Sequence, residues 1–115
     1  MIAGLVCYWA CTWLKHRFKY DDSLDVFGVH GIGGLTGTLL AGVFAASAIG
    51  GTSGLLEGNG RQLLIQFYGV AVTLLWSGGM TFVLLKLVGA FVPLRVSLQQ
   101  EMEGLDISQH GEALQ

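Results

Sequence analysis

The distribution of charge is the feature of this sequence that most limits its fold. No Lys, Arg, Asp or Glu occurs in residues 1–14, 26–56 or 62–85. An α-helix needs about 20 mostly apolar residues to cross the ~30 Å hydrocarbon core of a bilayer. The second and third uncharged segments meet this requirement and predict transmembrane helices at about 26–49 and 63–90. The pattern therefore predicts an all-α membrane protein.

The first uncharged segment, "MIAGLVCYWACTWL", is about a third too short to span a bilayer. It does not have the form of a signal peptide, because its basic cluster at residues 15–19 follows the apolar stretch instead of preceding it. We therefore expect residues 1–14 to be a truncated transmembrane helix. On this interpretation the chain is the C-terminal fragment of a longer protein.

Composition supports the membrane assignment and excludes several functions. Charged residues make up 12% of the chain, against about 25% in an ordinary soluble domain. The net charge of −2 provides no basic surface for nucleic acid. Residues 31–36 superficially resemble a dinucleotide fingerprint, but no strand precedes them and no acidic residue follows at the required distance. We expect no enzymatic activity, no cofactor and no nucleic-acid partner.

The basic residues predict the orientation of the chain. They cluster at residues 15–19 and recur at Arg95, whereas Arg61 marks the opposite side. By the positive-inside rule, the loop after the first segment and the C-terminal region face the cytoplasm. We therefore expect a multi-pass protein of the plasma or inner membrane, with transmembrane segments in residues 1–92 and a cytoplasmic tail in residues 93–115.

The stretch "DDSLDVFGVHGIGG" places one ionisable residue deep in the second segment. Asp22 at the N-cap and Asp25 at N3 form a capping pattern for the helix that follows. At 1.5 Å per residue, His30 lies about 12 Å above Asp22, close to the middle of the bilayer. An ionisable residue at that depth is typical of a functional path. The alternative is a neutral imidazole hydrogen-bonded to a neighbouring helix.

Small residues predict close helix packing. Gly33 and Gly37 are four residues apart, and two alanines continue the same stripe, a pattern that lets another helix approach closely. It leaves open a second interpretation, in which the chain is a small Gly-rich membrane subunit or assembly factor without transport of its own.

Two cysteines lie one turn apart in the first segment. Cys7 and Cys11 are poorly placed to form a disulfide with each other, and we interpret them as small buried apolar residues. The alternative is a membrane-bound redox or metal protein that uses both thiols together with His30. We predict no bound metal ion.

The tail contains a predicted amphipathic helix. Apolar residues recur at helical spacing at Leu94, Leu98, Met102 and Leu105, and we expect the helix to end near Gly104. The polar residues that follow are either a disordered end or a regulatory contact segment.

Two motifs resemble those of a known family. "DDSLDVFGVHGIGGLTGTLLAGVFA" resembles the penultimate-helix signature of the ammonium transporter (Amt/Mep/Rh) family, Amt branch, and "GLDISQHGE" resembles the C-terminal motif of that branch. The resemblance implies a homotrimer of eleven-helix subunits. This chain would supply part of helix nine, helices ten and eleven, and the cytoplasmic tail.

The resemblance also implies residue roles. His30 matches the second of two pore histidines, and Val26 matches an apolar position that lines the path towards the cytoplasm. Asp22 and Asp25 match acidic positions at the helix start, which we interpret as caps or tail contacts. Ammonium or ammonia would be the transported solute, in contact with membrane lipid and with the missing N-terminal helices. The chain alone is expected to transport nothing.

In the tail, the resemblance implies regulation. Gly104, Asp106, His110 and Gly111 match the motif that couples subunits, and Ser108 occupies a position where some relatives carry a phosphorylatable Thr. In bacterial relatives a PII signalling protein binds this cytoplasmic face.

Overall fold

The computed structural model describes residues 1–112, and all regular secondary structure in that part is helical. The predicted all-α fold is thus confirmed for these residues. The chain divides into two compact units, Met1–Leu75 and Trp76–Gln115, and the boundary lies inside a long helix.

The first unit begins with a helix that changes its pitch twice. The N-terminal helix consists of Ile2–Trp9 in α-geometry, Ala10–Leu14 in the wider π-geometry, and Lys15–Phe18 in α-geometry again. Basic side chains in the last turn match the negative end of the helix dipole. Lys19 has a φ of 51° and ends the helix in the left-handed conformation.

The second helix, here called the histidine helix, also combines two geometries. Phe27–Ile32 is a π-helix and Gly33–Phe44 continues it as an α-helix. The predicted helix at 26–49 therefore ends five residues early. Ala45 has a ψ of 132°, which is extended backbone, and a separate short helix follows at Ser47–Gly50.

The loop after the histidine helix explains the break. The backbone N–H of Gly54 donates to the carbonyl of Ala45 at 2.7 Å, and the N–H of Ser47 donates to the Glu57 carboxylate at 2.9 Å. This hydrogen bond holds the pKa of Glu57 below its usual value. Gly54 is buried, and a Cβ there would lie 2.8 Å from the carbonyl oxygen of Val43. The loop therefore returns across the end of the histidine helix, which cannot continue.

The long helix, Gly60–Gly89, begins where this loop ends. Near its start it approaches the histidine helix closely, since a Cβ on Gly42 would lie 3.1 Å from the Cα of Leu63. Both are long and apolar enough to cross a membrane, over Phe27–Phe44 and Gly60–Gly89.

Burial in the described part of the chain is restricted to small residues. The four buried residues there are Ala10, Gly28, Gly42 and Gly54. Large apolar side chains remain exposed, and the long helix has no buried residue. The helices of the described chain therefore meet at small residues, and no layer of large side chains is buried between them.

The second unit contains the end of the long helix and the tail. A capping box between Ser97 and Gln100 starts the tail helix, Leu98–Glu103. Gly104 ends it, as predicted, with a φ of 94°. A π-turn, Asp106–His110, follows.

We expect Gly54→Ala to lower the free energy of unfolding by about 1–3 kcal/mol, the usual cost of overpacking. The added methyl group would meet backbone atoms, which cannot rotate away. The measurement is the thermal unfolding midpoint of the chain in detergent. Gly50→Ala is the matched control, because no described atom lies within 4 Å of a Cβ at that position. Equal midpoints for the two variants would contradict the proposed packing of the loop.

Candidate functional site

A groove of about 680 Å³ lies within the first unit between the histidine helix and the long helix. The two helices are in contact near Gly42. The groove lies further along both helices, away from this contact. Its walls are formed by Phe27, His30, Gly31, Ile32, Gly34, Leu35, Thr38, Gly69, Val70, Thr73 and Leu74. Most of these residues are apolar or glycine, so the groove offers few polar contacts to a solute.

His30 is the titratable residue of this groove. The residue is exposed, and its imidazole makes no hydrogen bond to any other residue of the described chain. A neutral imidazole is able to donate from one ring nitrogen and accept at the other. Thr73 also lines the groove, but its hydroxyl already donates to the carbonyl of Gly69 at 2.8 Å. The two ring nitrogens of His30 and the hydroxyl of Thr38, which also lines the groove, are therefore open to a solute.

The backbone around His30 has a form that the sequence did not predict. His30 lies in the π-stretch Phe27–Ile32, and single π-turns within α-helices are frequent at functional sites. The π-stretch of the N-terminal helix, Ala10–Leu14, packs against it. No composition or periodicity in this segment indicates a π-turn, because the same residues are compatible with an α-helix.

Both cysteines of the N-terminal helix pack against glycines of the histidine helix. A Cβ on Gly28 would lie 2.5 Å from the Cys11 sulfur, and one on Gly33 would lie 2.7 Å from the Cys7 sulfur. The predicted small-residue stripe is thus only partly used, since no described atom lies within 4 Å of a Cβ on Gly37. Within residues 1–112, no group of three or more His, Cys, Asp or Glu is placed to hold a metal ion.

The two aspartates before the helix have different partners. The Asp22 carboxylate accepts hydrogen bonds from the backbone N–H groups of Val26 at 2.9 Å and Phe27 at 2.8 Å. Asp25 is not at N3 of the helix, because its φ of 55° is left-handed. Its carboxylate instead accepts a hydrogen bond from Lys15 Nζ at 2.7 Å, which raises the pKa of Lys15. The prediction of Asp22 at the N-cap and Asp25 at N3 is therefore wrong in both positions. Val26 is at the N-cap, Asp22 bonds the first backbone N–H groups of the helix from four residues before Val26, and Asp25 forms an ion pair.

Val26 lies at the start of the histidine helix and is half-exposed. It is not among the residues that line the groove, whereas its neighbour Phe27 is. The ring of Tyr20 packs edge-on against Phe27, with 5.5 Å between the ring centroids.

The predicted regulatory residues of the tail form a compact turn. Gly104 and Gly111 have φ values of 94° and 67°, a conformation that glycine adopts at no steric cost. The carbonyl of Asp106 accepts a hydrogen bond from the N–H of Glu112, just after Gly111, at 3.0 Å, and His110 is exposed.

Ser108 joins this turn to the tail helix. Its hydroxyl is half-buried and donates to the carbonyl of Gln100 at 3.2 Å. Arg95 and Glu101 form a two-point ion pair beside the same helix. The hydrogen bond from the guanidinium lowers the pKa of the Glu101 carboxyl.

Comparison with known proteins gives consistent matches along the chain. The model of the Ammonium Transporter Family matches residues 1–114. An ammonium transporter of Aquifex aeolicus is 50% identical over 111 residues, which are 96% of this chain and 26% of the relative. Ammonium transporter Amt1 of Archaeoglobus fulgidus is 45% identical and an ammonium transporter of Bacillus subtilis 41%, each covering 97% of this chain and 28% of the relative. The chain spans about a quarter of the length of these curated relatives.

We expect Asp22→Ala to destabilise the start of the histidine helix by about 0.5–2 kcal/mol, the usual cost of losing a side chain that accepts from the first backbone N–H groups of a helix. The variant leaves the N–H groups of Val26 and Phe27 without their acceptor. Amide hydrogen exchange of these two residues, measured in detergent, would show faster exchange. Asp22→Asn retains one acceptor oxygen and should give an intermediate rate. Unchanged exchange in the alanine variant would contradict the capping role.

Proposed function

This chain belongs to the ammonium transporter family, and we propose that the groove at His30 forms part of a path by which ammonium nitrogen crosses the membrane. Family membership and the two long apolar helices make it a membrane protein. The proposed role is transport, without a covalent intermediate and without a cofactor.

One observation carries this proposal. His30 is exposed on the groove and has no hydrogen-bond partner in the described chain, although it lies within a helix apolar enough to cross a membrane. An imidazole facing lipid would be costly, and ionisable residues inside membranes usually face a protein interior or a solute path. A path along the groove gives the ring nitrogens a partner, namely the solute.

The chemistry of the solute fits a groove with apolar walls. Transfer of a bare cation into such surroundings costs many kcal/mol, whereas neutral ammonia avoids most of that penalty. In the proposed mechanism, ammonium loses its proton outside the apolar part, and ammonia passes His30 by exchanging hydrogen bonds with the ring. A second imidazole on a preceding helix would pair with His30 and relay the proton. Val26 would line the cytoplasmic end of the path.

The remaining walls of the path belong to other parts of the proposed assembly. We assign the chain to part of helix nine, helices ten and eleven, and the cytoplasmic tail of an eleven-helix subunit that forms a homotrimer. The N-terminal helices of the same subunit would cover the open side of the groove. In this assignment, other helices or lipid cover the exposed apolar side chains of the long helix.

We also propose that the tail regulates transport. Its support is the half-buried Ser108 hydroxyl, which ties the turn at Asp106–His110 to the tail helix. A phosphate on Ser108 would add up to about −2 of charge at this contact and beside Asp106. A PII signalling protein at the cytoplasmic face is the proposed partner for the tail.

His30→Ala tests the path directly. The host is a chimaera in which this chain replaces the region it matches in the Aquifex aeolicus relative. We expect ammonium uptake by transporter-deficient cells to fall by about 100-fold, the scale of losing a positioned proton-transfer group. Trimer assembly, followed by native mass spectrometry, should be unchanged.

Two controls accompany this test. His16→Ala removes an imidazole that lies outside the groove and contacts the carbonyl of Thr12, and it should leave uptake unchanged. The 115-residue chain expressed alone should give no uptake. Normal uptake in His30→Ala, or loss of the trimer with normal uptake per assembled trimer, would refute the role of His30 in the path.

Ser108→Asp tests the regulatory role in the same chimaera. The added charge should release the turn from the tail helix and lower uptake several-fold. Ser108→Ala loses one hydrogen bond, worth about 0.5–1.5 kcal/mol, and should have a smaller effect. Gln109→Glu places the same charge on the exposed neighbour and serves as the control. Equal uptake in all three variants would exclude regulation through Ser108.

A further inference from the structure

The turn that carries His30 is contacted from the N-terminal helix by two thiols. Cys11 lies against Gly28, two residues before His30, and Cys7 lies against Gly33, three residues after it. The Cys7 sulfur is also 3.8 Å from the carbonyl oxygen of Val29, within reach of a weak S–H donor. The two contacts therefore lie on either side of the imidazole, one within the π-stretch and one directly after it.

The π-geometry makes this double contact possible. Gly28 and Gly33 are five residues apart, and a helix with i→i+5 hydrogen bonds brings residues at that spacing towards one face. The partners Cys7 and Cys11 are four apart, which is the spacing of one α-helical face. Each thiol occupies space that a side chain on the opposing residue would need.

We infer that Cys7 and Cys11 are positioning residues that fix the π-turn and thereby set where His30 enters the groove. This inference rests on the proposed transport path. Cysteine suits the position because it is small and apolar, and its sulfur fills the space above a glycine without requiring a hydrogen bond. A change at either contact should move the imidazole while the groove residues of the long helix keep their chemistry.

The main test places a methyl group in the Cys11 contact of the chimaera. We expect Gly28→Ala to reduce the maximal rate of ammonium uptake by about tenfold or more, since a 1 Å displacement of a reacting group costs up to about 100-fold. Gly37→Ala is the matched control on the same helix, because no described atom lies within 4 Å of its Cβ position. It should retain the full rate.

Replacement of the facing cysteine in each glycine variant tests whether its thiol causes the loss of uptake. Cys11→Ala in the Gly28→Ala background should restore uptake only in part, because the backbone nitrogen of Cys11 remains 3.1 Å from the added Cβ. Gly33→Ala should have a milder effect, and Cys7→Ala should restore it fully. The Cys7 sulfur is the one described atom within 4 Å of a Cβ on Gly33.

A readout independent of transport measures the packing itself. Maleimide labelling of Cys11, followed by mass spectrometry of its peptide, should be faster in Gly28→Ala than in the parent chimaera and unchanged in Gly37→Ala. If the parent chimaera takes up no ammonium, the proposed function fails while labelling still tests the packing.

Two outcomes would overturn the inference. Gly28→Ala could match Gly37→Ala in uptake, whether or not its labelling changes. Alternatively, Cys11→Ala could fail to restore any uptake to Gly28→Ala. Should Gly28→Ala not assemble, the milder Gly33→Ala and Cys7→Ala pair decides between the same results.

Discussion

Close backbone contact is the constraint on which the first unit depends. The helices and the loop meet at glycines or alanine, with Gly28 and Gly33 against thiols, Gly42 against the long helix, and Gly54 against the end of the histidine helix. A glycine at such a crossing lets a thiol or a backbone atom of the neighbouring segment approach closely, which adds dispersion contacts. Large apolar side chains are left on the outside, where lipid or further helices can solvate them.

The groove follows from this mode of packing. Because the histidine helix and the long helix touch near Gly42 and enclose a groove further along, they leave room for a solute beside a single imidazole. A core filled by large side chains would have closed this space. The tail is organised by local contacts, namely a capping box, an ion pair and two glycines with positive φ.

The sequence predicted the features that depend on composition over many residues. Charge-free segments located the histidine helix and the long helix, and the aspartates before the former predicted a carboxylate at the helix start, although Asp22 lies four residues before the N-cap, Val26. Features that depend on single contacts were missed. Asp25 pairs with Lys15 because the N-terminal helix passes beside it, and the histidine helix stops at Ala45 because Gly54 and Glu57 return across its end. The residues that line the groove could not be predicted, because the sequence does not show which helices are neighbours.

The two thiol–glycine contacts also define an antiparallel register. Between them the N-terminal helix advances four residues, from Cys7 to Cys11, whereas the histidine helix advances five, from Gly28 to Gly33. The π-stretch therefore accommodates one residue more than the opposing segment of the N-terminal helix. Deletion of one residue from this stretch would remove that excess and let the stretch close as an ordinary α-helix. The two glycines would then be four residues apart, as the two cysteines are, and His30 would lie on a narrower turn.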